Sequence, residues 1–161
     1  MRGSPAIASY GYPGRGKRFS TLATFDYKGF VSWYTIDGTF DKNAFIKGVK
    51  EIVLPHIQCF PGRRSVVILD NASIHHTYTF VRLVNSRGGL VLFTPPYCFD
   101  CTPLDNGAFG CLVHYLRANN WILEQLADGF PAALDTAFEN AVSRKRARKC
   151  MYQCGYESLF K

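Results

Sequence analysis

Asp70 and Asp105 are the residues whose type and spacing best suit chemistry in this chain. Asp70 closes the apolar run Ser65-Val-Val-Ile-Leu-Asp70, and Asp105 follows Leu90-Val-Leu-Phe93 through a Pro-rich segment. The 34 residues between them leave room for a helix, a strand and a loop, enough to return both carboxylates to one place. Carboxylates converging at a strand end suit a hard divalent cation. Magnesium takes oxygen ligands, usually one or two carboxylates completed by substrate phosphate and water. Two such ions about 3.5–4 Å apart activate the attacking oxygen of a phosphodiester cleavage and stabilise the leaving one. The same residues also suit plainer roles: Asp-Asn after a strand forms turns, and an Asp at a helix start caps it.

The neighbours of the two acids fit either account. Asn71 and Asn106 each directly follow an acid and suit outer hydrogen-bond partners of a metal ligand. His75, five residues beyond Asp70, suits orienting a phosphate or water, and equally an ordinary hydrogen-bonded place at a helix start. Of the six cysteines, Cys98 and Cys101 have zinc-ligand spacing, and Cys150 and Cys154 fall within its looser range. No glycine turn accompanies the first pair, so reduced thiols are the expectation.

Elements that must position the acids follow from periodicity. Residues 1–16, rich in Gly, Pro, Ser and Tyr, read as an irregular arm. Lys17–Asp26 and Phe30–Ile36 are β-branched and aromatic, and Tyr27-Lys28-Gly29 between them predicts an antiparallel hairpin. A helix begins at Asp41, with Phe45, Ile46, Val49, Ile52 and Val53 on one face and Pro55 disturbing its last turn. Ser65–Leu69 and Leu90–Phe93 are apolar without alternation, as in strands covered on both faces. A helix from His76 to Ser86 connects them, ended by Gly88-Gly89. Two more helices are expected, over Leu104–Asn119 with Phe109, Leu112, Val113 and Leu116 inward, and over Ala132–Lys149 with Leu134, Phe138 and Val142 inward. The order implies an α/β fold, a mixed sheet flanked by helices. Ligands of such sheets gather at the carboxyl ends of the parallel strands, where Asp70 stands.

The 161 residues fit one domain, and 47% hydrophobic with 19% charged residues is the balance of a folded chain. No apolar run reaches the roughly 18 residues of a membrane span, and the N-terminus lacks the apolar stretch of a signal peptide. The expectation is a protein that is neither membrane-bound nor secreted. A net charge of +7 favours an acidic partner, foremost nucleic acid. The cations concentrate at Arg15, Lys17 and Arg18, and at Arg144, Lys145 and Arg146 in the run continuing to Lys149. A solvated helix face accounts for the second cluster as well as phosphate contact does.

Leu69-Asp70-Asn71-Ala72-Ser-Ile-His75, followed by Pro95-Pro96-Tyr97-Cys-Phe-Asp100-Cys-Thr-Pro103-Leu104-Asp105, resembles the mariner-like branch of the DDE transposase superfamily. That branch shows Asp-Asn-(Ala)-x-x-His after a strand, then Pro-Pro-Tyr-Ser-Pro-Asp-Leu-Asn-Pro-Ile-Glu, with Asp as the final acid in some members. The interval between the acids matches, and the resemblance runs over roughly residues 11 to 156. It implies a ribonuclease H-like fold that cuts and rejoins DNA with magnesium or manganese, on transposon ends and target DNA, as a homo-oligomer and, in a eukaryote, in the nucleus. Asp70 matches the second catalytic acid and Asp105 the third. Cys98, Phe99 and Cys101-Thr102 replace the usual Ser, Pro and Leu-Asn. The family's first acid lies on a strand upstream of the hairpin, and Asp26, Asp37 and Asp41 do not match it. Residues 17–161 are therefore expected to be a partial catalytic domain lacking the first strand.

Two other readings compete with the cleaving domain. One is a non-catalytic nucleic-acid-binding remnant that uses the basic clusters on phosphates. The other is a relic whose unpaired sheet edge and uncovered apolar surface favour association over folding.

Overall fold

A computed structural model describes residues 18–96, 98–119 and 129–156. The expected arm at 1–16, which includes Arg15, and the neighbouring Lys17 lie outside them. β1 (Phe19–Asp26) and β2 (Gly29–Asp37) form the expected antiparallel hairpin, with Thr24 and Phe25 flanking a bulge. Gly29 makes the tight turn at φ 128°, a conformation that a side chain would strain. Cross-strand hydroxyl pairs lie on both faces, Thr21 with Thr35 on one and Thr24 with Ser32 on the other.

α1 (Lys42–Gly48) is capped by Asp41, whose Oδ1 accepts from Ala44 N at 2.7 Å. Asp41→Ala should cost about 0.5–2 kcal/mol of stability, a fall of roughly 1–8 °C in thermal midpoint at this size. The helix continues as a wider π turn over Val49–Val53 and tightens to a 3-10 turn over Leu54–His56, where Pro55 ends it. Its buried face, Phe45, Val49, Ile52, Val53 and Leu54, is the first core. Leu22 and Tyr34 of the hairpin pack on it, as do Val67 and Leu69 of β3 (Val66–Leu69) and Val91 and Phe93 of β4 (Leu90–Phe93).

β3 and β4 pair in parallel, Val66 opposite Leu90 and Leu69 opposite Phe93. α2 (Tyr78–Ser86) connects them, starting two residues later than expected because Thr77 caps it. Phe80 and Val84 of α2 complete the first core. The expectation that these strands are covered on both faces is not met. Ile68, Leu90 and Leu92 are 38%, 43% and 54% exposed, so only the α1–α2 side of this pair is sealed. Among the described residues the hairpin and the parallel pair are not hydrogen-bonded to each other. They are joined by the shared helix layer and by Arg64, which donates to Asp26 Oδ2 at 2.7 and 2.9 Å.

α3 (Phe109–Ala118) follows Asp105. Leu112 faces the second core as expected, but Val113 is 42% exposed, one step off the apolar stripe. The expected single last helix is two, α4 (Gly129–Asn140) and α5 (Arg144–Gln153). Ser143 interrupts it, its hydroxyl accepting from Arg146 N as the cap of α5. Leu134, Ala137 and Phe138 of α4 join Leu112 beneath the hairpin's other face, at Ala23, Phe30 and Trp33. Among the described residues no helix is long and apolar enough to cross a membrane.

Candidate active site

Asp70 and Asp105 come to one place. With Asn71, Ala72, Thr94, Pro95, Pro96, Cys98 and Thr102 they line an open cavity of about 370 Å³ at the carboxyl ends of β3 and β4. The topology explains the meeting: parallel strands finish at the same edge, so the segments leaving Leu69 and Phe93 are neighbours. Thr94 N still donates to Leu69 O at 2.9 Å, after which Pro95 and Pro96 supply no N–H and end the ladder.

Asp70 takes the turn role open to it in sequence and lines the cavity as well. Its Oδ1 accepts from Ala72 N at 3.2 Å, closing a turn, and the carboxylate remains half exposed. His75 holds it: Nδ1 lies 2.6 Å from Asp70 Oδ1, while the imidazole rests on the Phe45 ring with centroids 4.9 Å apart. The aromatic wall and the carboxylate together fix the imidazole, so a proton on Nδ1 is directed at Asp70. Asn71 is held in turn by His76, whose Nε2 contacts Asn71 Oδ1 and whose ring stacks on Phe93 at 4.2 Å. Sequence reading missed His76. Its position immediately after His75 was the available signal, since the second histidine of such a pair faces elsewhere.

Asp105 lies on a π turn, Leu104–Ala108, rather than at the first turn of α3. Gly107, at φ 157°, breaks the segment from α3, and a Cβ there would meet Cys150 Sγ at 3.0 Å. Thr102, 7% exposed, donates from Oγ1 to Asp105 Oδ2 at 2.7 Å. In sequence Thr102 stands out only as a departure from a motif, and its spacing of three residues before Asp105 was the signal for the contact. Removing the hydroxyl by Thr102→Val should weaken divalent-cation binding by about 10–100-fold, with Thr102→Ser restoring it, as titration calorimetry would measure.

Asn106 does not face the cavity lining. Its Nδ2 donates to Cys154 Sγ at 3.6 Å, tying this segment to α5, and Tyr156 Oη donates to Cys101 O at 2.8 Å beside it. Burial pushes the Cys150 and Cys154 thiols up, keeping both protonated at neutral pH. Cys98 and Cys101 depart from the expected reduced state. The 3-10 turn at Phe99–Cys101 brings their Cα atoms to 5.6 Å, and they form a disulfide.

Of the expected DNA contacts, Arg18, Arg144 and Lys145 are exposed. Arg146 is exposed too, and the Cys111 side chain beside its guanidinium raises the arginine's pKa. Asp26, Asp37 and Asp41 do not line the cavity. Among the described residues no group of three or more His, Cys, Asp or Glu side chains is placed to hold a metal ion. The two acids fit a divalent cation as far as one or two carboxylates completed by phosphate and water do. Each engages one named oxygen within the protein, Asp70 Oδ1 and Asp105 Oδ2.

The fold and sequence together define a class. Residues 7–123, well over half of the chain, match the DDE superfamily endonuclease domain, and the chain belongs to that family. Its fold is the ribonuclease H-like α/β fold of the Mos1 mariner transposase catalytic domain. That domain, solved with raltegravir and magnesium, superposes with a TM-score of 0.64 at 16% identity, over 88% of this chain and 72% of its own. The Mos1 strand transfer complex gives 0.54 at 18% identity, over 96% of this chain and 48% of the other. A pre-cleavage Mos1 transpososome also gives 0.54, at 16% identity, over 96% and 49%. The chain thus spans about half the length of the transposase chains in those assemblies. No curated protein sequence matches it.

Proposed function

We propose that this chain is a DNA-cleaving and strand-transferring domain of a mariner-like transposase, with Asp70 and Asp105 as its metal-holding acids. The observation that carries the reading is their shared cavity at the carboxyl ends of the parallel pair. The solved relatives include a magnesium-bound catalytic domain and a paired-end complex with manganese. A divalent cation bound between these carboxylates would polarise a phosphodiester and lower the pKa of the attacking water. The chain's own residues prepare that place. His75 and Ala72 N hold one oxygen of Asp70, and Thr102 holds one of Asp105. Water attack would free a 3′-hydroxyl, and that hydroxyl would then attack target DNA. Transposon-end DNA and target DNA are the substrates, and a paired-end assembly like that of Mos1 is the working form.

The test is nicking of supercoiled plasmid by the purified chain in manganese or magnesium. Conversion to open circles that stops on chelation supports the reading. Duplex binding with no nicking supports a second reading, a nucleic-acid-binding domain that does not cleave. That second reading has its own observation: among the described residues only two acids reach the cavity, fewer than a two-ion site uses.

A further inference from the structure

α5 is more than a cluster of cations. Its sequence, Arg-Lys-Arg-Ala-Arg-Lys-Cys-Met-Tyr-Gln, contains no acid. Ala147 and Cys150 are buried, so the opposite side of the helix faces solvent. At about 100° per residue, Arg144, Arg148, Tyr152, Lys145 and Lys149 fall within a single arc of roughly 140°. All five are exposed, Tyr152 by 59%. Arg146 lies outside that arc, against Cys111.

The two ends of the stripe are fixed by their neighbours. At the N-terminal end the Arg144 guanidinium stands 5.9 Å from the centre of the Tyr27 ring, and Lys28 Nζ stands 5.8 Å from it. The hairpin turn therefore adds an aromatic face and a further cation. At the other end, Cys154 and Tyr156 are hydrogen-bonded to Asn106 and Cys101, on the segment that carries Asp105. The helix spans the interval, about 15 Å for ten residues. Each step from Arg144 to Arg148, or from Lys145 to Lys149, advances about 6 Å, close to the axial rise of two phosphates of one strand at about 3.4 Å each.

We infer that the exposed face of α5, with the Tyr27–Lys28 turn, is a sequence-independent track for the backbone of duplex DNA, running toward the Asp105 segment. The choice of DNA as the acidic partner rests on the proposed function. The track itself rests on the cation stripe and on the interactions that anchor its ends. Arg146, although part of the same basic run, is not on the track.

Binding of the whole chain to a fluorescent duplex of arbitrary sequence, measured by anisotropy between 50 and 200 mM salt, tests this. Lys145→Ala with Lys149→Ala should make the log–log salt slope shallower by about 1.8, at about 0.9 for each phosphate no longer neutralised. Wild-type affinity should then fall about 12-fold more across that salt range than the variant's. Lys145→Arg with Lys149→Arg should restore the slope, and Arg146→Ala should leave it unchanged. A wild-type chain that does not bind duplex at 50 mM salt overturns the inference. So do an unchanged slope in a double-alanine variant with wild-type circular dichroism, and tighter binding to RNA or to an acidic polypeptide than to duplex DNA. Failure to nick plasmid, with the slopes as expected, removes the cleavage reading and leaves the track standing.

Discussion

Asp70→Ala is expected to abolish metal-dependent nicking while leaving the fold intact. The carboxylate is half exposed, and its internal partners are His75 and the N–H of Ala72. The structural loss is thus a turn hydrogen bond and one pair at the surface, the class of change that costs little. Among the described residues two acids line the cavity, so loss of one removes half of the anionic donors they offer a cation. The drop in rate should exceed the about 10–100-fold that follows loss of an outer hydrogen-bond partner. Asp105→Ala should match it, and the double variant should be no worse than either single one, because residues acting as a unit are not additive. Plasmid nicking, paired with circular dichroism and thermal melting, separates the two effects. Nicking that survives Asp70→Ala would place the reaction elsewhere in the protein. A variant that loses nicking only because it no longer melts cooperatively would show Asp70 to be structural.

The acid pair was legible because its determinants are local. An apolar strand ending in Asp-Asn, a Pro-Pro break and an Asp beyond it are each read from a few adjacent residues, as is the Tyr27-Lys28-Gly29 hairpin. Beyond His75 beside Asp70, the supports of the pair were not legible, because they depend on where helices dock. The Thr102 hydroxyl and the His76–Asn71 contact require turns whose geometry is set by packing on Phe93 and α5. The π turn after α1 follows the same rule. Val49, Ile52 and Val53 read as one continuing helix, yet the wider turn is what buries all three between the two sheets. Strand coverage departs from expectation for a related reason. A non-alternating apolar run shows that both faces of a strand tolerate burial, not that both are covered. Ile68, Leu90 and Leu92 accordingly remain open on the face away from α1.

Phe138→Ala should be the most destabilising single change under the hairpin, at about 3–5 kcal/mol. Phe138 is 3% exposed and packs against two aromatic rings of β2. Its ring stacks on Trp33 with centroids 4.9 Å apart and meets Phe30 edge-on at 4.8 Å. The Trp33 indole is in turn held by α4, its Nε1 donating to Asp135 Oδ1 at 2.6 Å. Truncation therefore removes apolar burial, opens a cavity, and releases the ring pairs by which α4 grips β2. At about 2–4 °C per kcal/mol the thermal midpoint should fall by roughly 6–20 °C. Against a typical total of about 5–15 kcal/mol, such a loss brings the domain close to unfolding. Phe138→Leu, which keeps most of the volume, should recover the larger part. The comparison bears on the site as well, since α4 and α3 share this core and α3 begins directly after the segment holding Asp105. If the midpoint of Phe138→Ala stays within 1–2 °C of wild type, at about 2–4 °C per kcal/mol, the second core contributes almost nothing to folding. The hairpin and the parallel pair would then be held together by the first core and the Arg64–Asp26 pair, and the geometry around Asp105 would lose its rigid support.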